Sequence, residues 1–176
     1  MTEHLEANPA FVRLLVDTRD ASHTLRTQSS AVKDEVLTRL AGLLRERSGD
    51  IVEANSLDYE RGEAGGIATG LLDRLRLTPE RVEGLARAVE DIRGLSDPIG
   101  QVVRGHQLPN GLRVQQVRVP FGVVGAIYEA RPNVTVDIAA LCIKSGNAAV
   151  LRGASLAESS NRVLVDIIGQ ALAGAG

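Results

Sequence analysis

Cysteine is nearly absent from this chain. The single thiol, Cys142, excludes an intramolecular disulfide and any zinc cluster built from several cysteines. Histidine is almost as sparse, and His4, His23 and His106 show no metal-ligand spacing. Tryptophan is missing and aromatics make up 2% of the residues, too few for a base-stacking surface. No charge of one sign dominates: 20 Lys and Arg stand against 22 Asp and Glu, a net charge of −2. Such a balance gives no broad attraction for nucleic acid or for an anionic membrane. No apolar run reaches the roughly 18 residues of a membrane-spanning helix. The first residues, Met1 to His4, lack the basic start and apolar stretch of a secretory signal, so a cytoplasmic location is expected.

What remains is a soluble, globular composition. Apolar residues make up 44% of the 176 and charged residues 24%, enough for one domain, or one plus an appendage. Up to about residue 97 the apolar residues recur at helical spacing. Phe11, Leu14, Leu15 and Thr18 suggest a first helix. Val32, Val36, Leu40, Leu43 and Leu44 form a second stripe, with Ser30 as the expected cap and Gly49 just past its basic end. A third helix is expected from Asp50, with Asp50 and Glu53 resembling a capping box. Glycines at 62, 65, 66 and 70 predict a loop over 61–70, followed by a short helix at 70–75. Thr78-Pro79-Glu80 supplies an N-cap, a first-turn proline and a first-turn acid for a helix ending at Gly94.

From residue 99 the period shortens. Residues 99–108 and 112–119 read as strands joined by Leu108-Pro109-Asn110-Gly111, and Asn-Gly is a strong hairpin signal. Their polar share predicts a ribbon leaving the body of the domain, exposed or in contact with another copy. Residues 121–128 read as a buried strand. Pro132 opens a helix apolar almost all round, hence a buried one. Residues 148–151 form a second short strand, and Ser155 with Glu158 forms a capping box for a last helix. Strand, helix, strand, helix implies parallel strands, as in doubly wound α/β domains. Two parallel strands cannot make a well-covered sheet, and the chain reaches Gly176 where another strand is expected. The sheet is therefore completed by something else, or the sequence is a piece of a longer one.

Chemistry is expected at the carboxyl ends of these two strands, where open α/β sheets take ligands. After the first strand, Arg131 offers a planar fork suited to a carboxylate or phosphate, and Asn133 an amide able to meet a developing oxyanion. The plainer reading makes Glu129 and Arg131 a surface ion pair and Asn133 a cap. After the second strand, Arg152 could meet a nucleotide phosphate or ribose, Gly153 permits close backbone approach, and Ser155 places a hydroxyl at a helix start. A simple capping role accounts equally for Ser155, and an exposed strand-end charge for Arg152. Gly122 and Gly125 fall short of a dinucleotide fingerprint. Lys144 is explained by its place in a helix's last turn. Cys142, flanked by Leu141 and Ile143, reads as an inert core thiol and not a nucleophile.

The string VPFGVVGAIYEARPNVTVD over 119–137 strongly resembles gamma-glutamyl phosphate reductases, also called glutamate-5-semialdehyde dehydrogenases, of the aldehyde dehydrogenase superfamily. AALCIKSGN over 139–147 and AVLRG over 149–153 continue the resemblance, as do LLDRL at 71–75 and RAVEDI at 87–92. The resemblance implies an α/β, aldehyde dehydrogenase-like fold: N-terminal helices over 1–98, an oligomerisation hairpin over 99–119, and over 120–176 the first part of a Rossmann-like, incomplete parallel sheet. It implies NADPH-dependent reduction of L-glutamyl 5-phosphate to glutamate 5-semialdehyde with release of phosphate, in proline biosynthesis. A homo-oligomer built through the hairpin is implied too. On this resemblance Arg152 falls where relatives contact the adenosine ribose. Ser155 stands where NAD-preferring relatives carry a glutamate, so a 2′-phosphate is not repelled. Asn133 is similar to the superfamily's oxyanion asparagine, although Arg-Pro-Asn replaces Pro-Trp-Asn. The family's nucleophilic cysteine lies in its second half, outside these residues, so this chain alone is expected to be inactive. Two other readings remain: a catalytically inactive binding or assembly module of the same fold, and an aldehyde dehydrogenase for another acyl substrate.

Overall fold

The computed structural model describes residues 8–174, so His4 and the last two residues lie outside the described part. Five helices come first. α1 (Pro9–Leu25) starts on Asn8, whose side-chain oxygen accepts the Ala10 N–H. α2 (Ser30–Glu46) is capped by Ser29, one residue before the expected Ser30. The Ser30 hydroxyl donates instead to Asp97, at 2.7 Å.

α3 (Ser48–Ala64) begins before Asp50, and Gly49 lies inside its first turn. Arg47 is the one residue between the two helices, so no room exists for a separate cap. The capping box expected of Asp50 and Glu53 does not form, and Asp50 pairs with Arg47 at 2.9 Å. α3 also runs through Gly62, which shortens the expected loop to 65–68. A Cβ at Gly62 would stand 3.0 Å from Leu72 Cδ2, so this glycine serves close packing between α3 and α4 (Thr69–Leu75). α5 (Pro79–Gly94) follows the predicted pattern, with the Thr78 hydroxyl accepting the Arg81 N–H.

β1 (Val102–Gln107) and β2 (Arg113–Val117) form an antiparallel hairpin, and every residue of the two strands is exposed. At its turn Gly111 takes φ +86° while Asn110 keeps negative φ. Asn110 Oδ1 accepts the Leu112 N–H instead. The hairpin is rooted at Asp97, whose carboxylate accepts from Ser30, from the Ile99 N–H and from the buried Lys33 ammonium.

β3 (Val123–Ile127) and β4 (Ala148–Arg152) pair in parallel, Val123 opposite Ala148 and Ile127 opposite Arg152. α6 (Asn133–Lys144) joins them, and α7 (Glu158–Ala173) follows β4 through a 3-10 turn at Ser155–Ala157. β3 is not the buried strand that its composition suggests: Phe121 just before it is 91% exposed and Ile127 89%. A strand acquires burial only from layers packed on its faces, and α1 packs mainly on β4. α6 likewise presents Leu141 to solvent while Val136, Ala139, Ala140 and Ile143 are buried. The core lies where α2, α5, α6 and α7 converge, around Leu37, Leu40, Leu44, Val82, Val89, Leu164 and Ile167.

The start of α7 is held from another helix. The capping box expected of Ser155 and Glu158 is replaced by the 3-10 turn, and α7 has no local side-chain cap. Its free N–H groups at Ser159 and Ser160 donate to the buried carboxylate of Asp58 on α3, at 3.1 and 2.8 Å. The Ser160 hydroxyl donates to it at 2.7 Å. One turn earlier on α3, Asn55 accepts the Leu77 N–H and donates to the Leu75 carbonyl and to Ser160. Asp58→Ala leaves two buried donors on Ser160 and the part-buried Ser159 N–H without this acceptor. It is expected to cost about 2–4 kcal/mol in urea or thermal unfolding, with a smaller loss for Asp58→Asn, which keeps an acceptor.

Candidate functional site

The carboxyl ends of β3 and β4 lie side by side. The last bond between them runs from the Tyr128 N–H to the Arg152 carbonyl, at 3.1 Å. The chain then leaves as two turns, 128–132 into α6 and 153–157 into α7. All five residues singled out from the sequence therefore fall at one end of the sheet.

Arg131 is exposed and lies 3.6 Å from Glu129, as the surface-pair reading expected. Glu129 is shared, because Arg74 from α4 approaches it at 3.4 Å. Nothing in the local sequence pointed to Arg74, which reaches this end only through the packing of α4 on α3. Asn133 opens α6 and donates from its amide to Asp137, one turn on, at 3.1 Å. Its amide is thus spoken for in part and held in one orientation. Burial pushes the Asp137 carboxyl above its ordinary range, against the lowering effects of the Asn133 amide and the Arg131 charge.

Arg152 ends β4, exposed, with its guanidinium donating to the Gly153 carbonyl. It has no acidic partner among the described residues. Ser155 is exposed, and its hydroxyl caps nothing. Gly153 is needed by the protein's own packing: a Cβ there would stand 2.4 Å from Asn161 Nδ2 and 3.1 Å from Tyr128 Cε2. Beneath both turns the Tyr128 hydroxyl lies 2.7 Å from Thr135 Oγ1, which donates to Asn161 Oδ1 at 2.7 Å. Sequence reading passed over Tyr128, Thr135 and Asn161, since they meet only once the two units pack.

Cys142 is buried, and burial pushes its thiol pKa up, as an inert core cysteine requires. Lys144 does more than its place in a last turn suggested. It is buried and donates to Asp34 at 2.6 Å and to the Arg93 carbonyl at 2.7 Å. Among the described residues no cluster of His, Cys, Asp and Glu could hold a metal ion, and no helix is long and apolar enough to cross a membrane.

No protein-family model matches the chain. A curated gamma-glutamyl phosphate reductase from Thermobifida fusca is 57% identical over 155 residues, 88% of this chain. The crystal structure of gamma-glutamyl phosphate reductase from Thermotoga maritima is 41% identical, with a TM-score of 0.86 over 89% of this chain. This chain is homologous to the N-terminal part of gamma-glutamyl phosphate reductases. It spans about 37% of the length of the Thermobifida relative and 38% of the Thermotoga one. The fold extends to a probable aldehyde dehydrogenase from Listeria monocytogenes, at 19% identity and a TM-score of 0.68 over 95% of this chain. The fold class read from the sequence, an incomplete α/β domain of aldehyde dehydrogenase type, agrees with these likenesses.

Asp137 gives this end of the sheet a pH signature. Its folded pKa is raised above the ordinary 3.8, so folding favours its protonated form. Its effect on stability is therefore absent well below that value. It becomes a cost as pH rises from 3.8 through the folded pKa. Asp137→Asn should remove this share of the pH dependence. Carbon-detected NMR titration of the Asp137 carboxyl checks the direction, and a midpoint at or below 3.8 would contradict it.

Proposed function

We propose that these residues form the N-terminal part of an NADPH-dependent reductase that converts L-glutamyl 5-phosphate to L-glutamate 5-semialdehyde and phosphate. What carries this reading is the high identity to gamma-glutamyl phosphate reductases, joined to an exposed Arg152 that has no acidic partner among the described residues at the carboxyl end of β4. The reading places the activity in proline biosynthesis, in the cytoplasm, in a longer chain that brings its own nucleophilic cysteine. Within it, 1–98 form the helical part, 99–119 the hairpin and 120–176 the first units of the nucleotide-binding sheet.

Each residue then has a chemical task. Arg152 and the backbone at Gly153 meet the adenosine ribose and its phosphate. Ser155 offers a neutral hydroxyl, so a 2′-phosphate meets no like charge. Arg131, exposed and with a planar fork, is suited to an anionic substrate that displaces its 3.6 Å contact with Glu129. Asn133 has a second amide hydrogen beyond the one given to Asp137, and that hydrogen can be donated to an oxyanion. Hydride comes from the nicotinamide when NADPH is bound.

In a full-length enzyme carrying these residues, NADPH oxidation with glutamyl phosphate measures the activity directly. Arg152→Ala should raise KM for NADPH about tenfold with kcat little changed, since a ribose contact contributes equally to ground and transition states. An unchanged KM removes Arg152 from the site, and absence of turnover with glutamyl phosphate overturns the reading.

The hairpin supports a second element of the proposal, contact between copies. Val102, Val103, Val114 and Val117 are each at least 40% exposed, an apolar content unsuited to a free ribbon. Sedimentation of the full-length enzyme should show an oligomer that Val103→Glu with Val114→Glu dissociates. A monomer before substitution would count against the hairpin's role.

A further inference from the structure

The link beneath the two turns is directional. A threonine hydroxyl carries one hydrogen, and Thr135 gives it to Asn161 Oδ1, so Tyr128 must be the donor to Thr135. The run is Tyr128 to Thr135 to Asn161, with Thr135 fully buried. Its three members come from the end of β3, the first turn of α6 and the first turn of α7. Gly153, from the turn after β4, is gripped between the Tyr128 ring and the Asn161 amide, with no room for a Cβ. Four separate pieces of backbone are thereby fixed to one another within a single residue's breadth.

Arg131 and Arg152 have no such packing. Both are exposed: Arg131 lies in the turn after β3 beside Glu129, and Arg152 is the last residue of β4, its guanidinium on the Gly153 carbonyl of the next turn. Any change in the separation of the turns changes the separation of the two guanidiniums.

We propose that Thr135 and Asn161 are positioning residues: their hydroxyl-to-amide link sets the distance between the two strand-to-helix turns and so aims Arg131 and Arg152 at one site. This rests on the proposed function, in which the turn after β4 receives the dinucleotide at Arg152 and the turn after β3 receives the anionic substrate at Arg131. A link that merely satisfied buried polar groups would affect global stability and nothing local.

Amide exchange in a full-length enzyme carrying these residues separates the two cases without a ligand. The Tyr128 N–H bonds to the Arg152 carbonyl at the linked end of the ladder, and the Ala148 N–H bonds to the Gly122 carbonyl at the other end. In Thr135→Val the Tyr128 amide should exchange about tenfold faster while the Ala148 amide is little changed, and Thr135→Ser should restore it. Gly153→Ala displaces the Asn161 amide while keeping every hydroxyl, and should give the same pattern even where the valine variant folds poorly. Equal acceleration at both ends, or an unmoved Tyr128 amide, overturns the proposal. NADPH titration by nicotinamide fluorescence supplies the second arm. Thr135→Val should weaken binding about tenfold and Thr135→Ser less than twofold, whereas equal affinity in both overturns the aiming role. Selective opening at Tyr128 in a chain that binds no NADPH counts against the dinucleotide reading and leaves the link's positioning role supported.

Discussion

The Asp58 carboxylate is the constraint on which the rest of the molecule depends. A charge this deeply buried is tolerated only if its oxygens are filled with donors. Here the donors are two helix N–H groups, a serine hydroxyl and Arg61, at 3.1 Å or less. The N–H groups belong to the positive end of α7, so the carboxylate and the helix dipole favour each other. The contact spans about a hundred residues of sequence. It locks α7 to α3, and the 3-10 turn at Ser155–Ala157 connects that locked helix to the end of β4.

That placement reaches the site by a short route. Asp58 holds the first turn of α7 at Ser159 and Ser160. Asn161 is the next residue, and its side chain points the other way, to Thr135 and over Gly153. One helical turn therefore touches the helical half on one side and the strand ends on the other. Asn55 works beside Asp58, holding the α4–α5 connection through Leu75 and Leu77. Arg74 sits on the helix just before that connection, which is how its guanidinium arrives beside Glu129.

Where structure follows short-range pattern, the sequence was legible. The Thr78-Pro79 start of α5, the hairpin with its glycine turn, the parallel order of β3 and β4, and the inert Cys142 all depend on spacing and local chemistry. The failures share one physical cause. Ser155 and Glu158 satisfy a capping-box pattern, yet residues 155–157 form a 3-10 turn, α7 begins only at Glu158, and a carboxylate from α3 takes its Ser159 and Ser160 N–H groups. Gly62 resembles a loop residue, yet it sits inside α3, where its missing Cβ leaves room for Leu72 from α4. Phe121 and Ile127 have the composition of a buried strand, and composition does not say whether a covering layer is present. Arg131, Asn133, Arg152, Gly153 and Ser155 could be singled out from the sequence because each lies at or just after a strand end. Tyr128, Thr135 and Asn161 were missed because polar groups in three different elements carry no common sequence signal.

The hairpin and the strand ends are also joined, through α2. Lys33 and Asp34 are neighbours on that helix, yet they pair in different directions: Lys33 with Asp97 at the hairpin root, Asp34 with Lys144 at the end of α6. Both lysines are buried, with side chains 3% and 6% exposed. The desolvation of such ammonium groups offsets much of their attraction, so the pairs add little net stability. They do restrict geometry, because an ammonium removed from water must keep its acceptors within bonding distance. The Asp97 carboxyl shows the balance. Burial alone would raise its pKa, but the bonds from Lys33, Ile99 and Ser30 hold it below the ordinary value. The root of an exposed ribbon is thus set by charges on the same helix turn that holds α6. A displacement of the hairpin would therefore load α2 and, through Lys144, the helix that begins at Asn133.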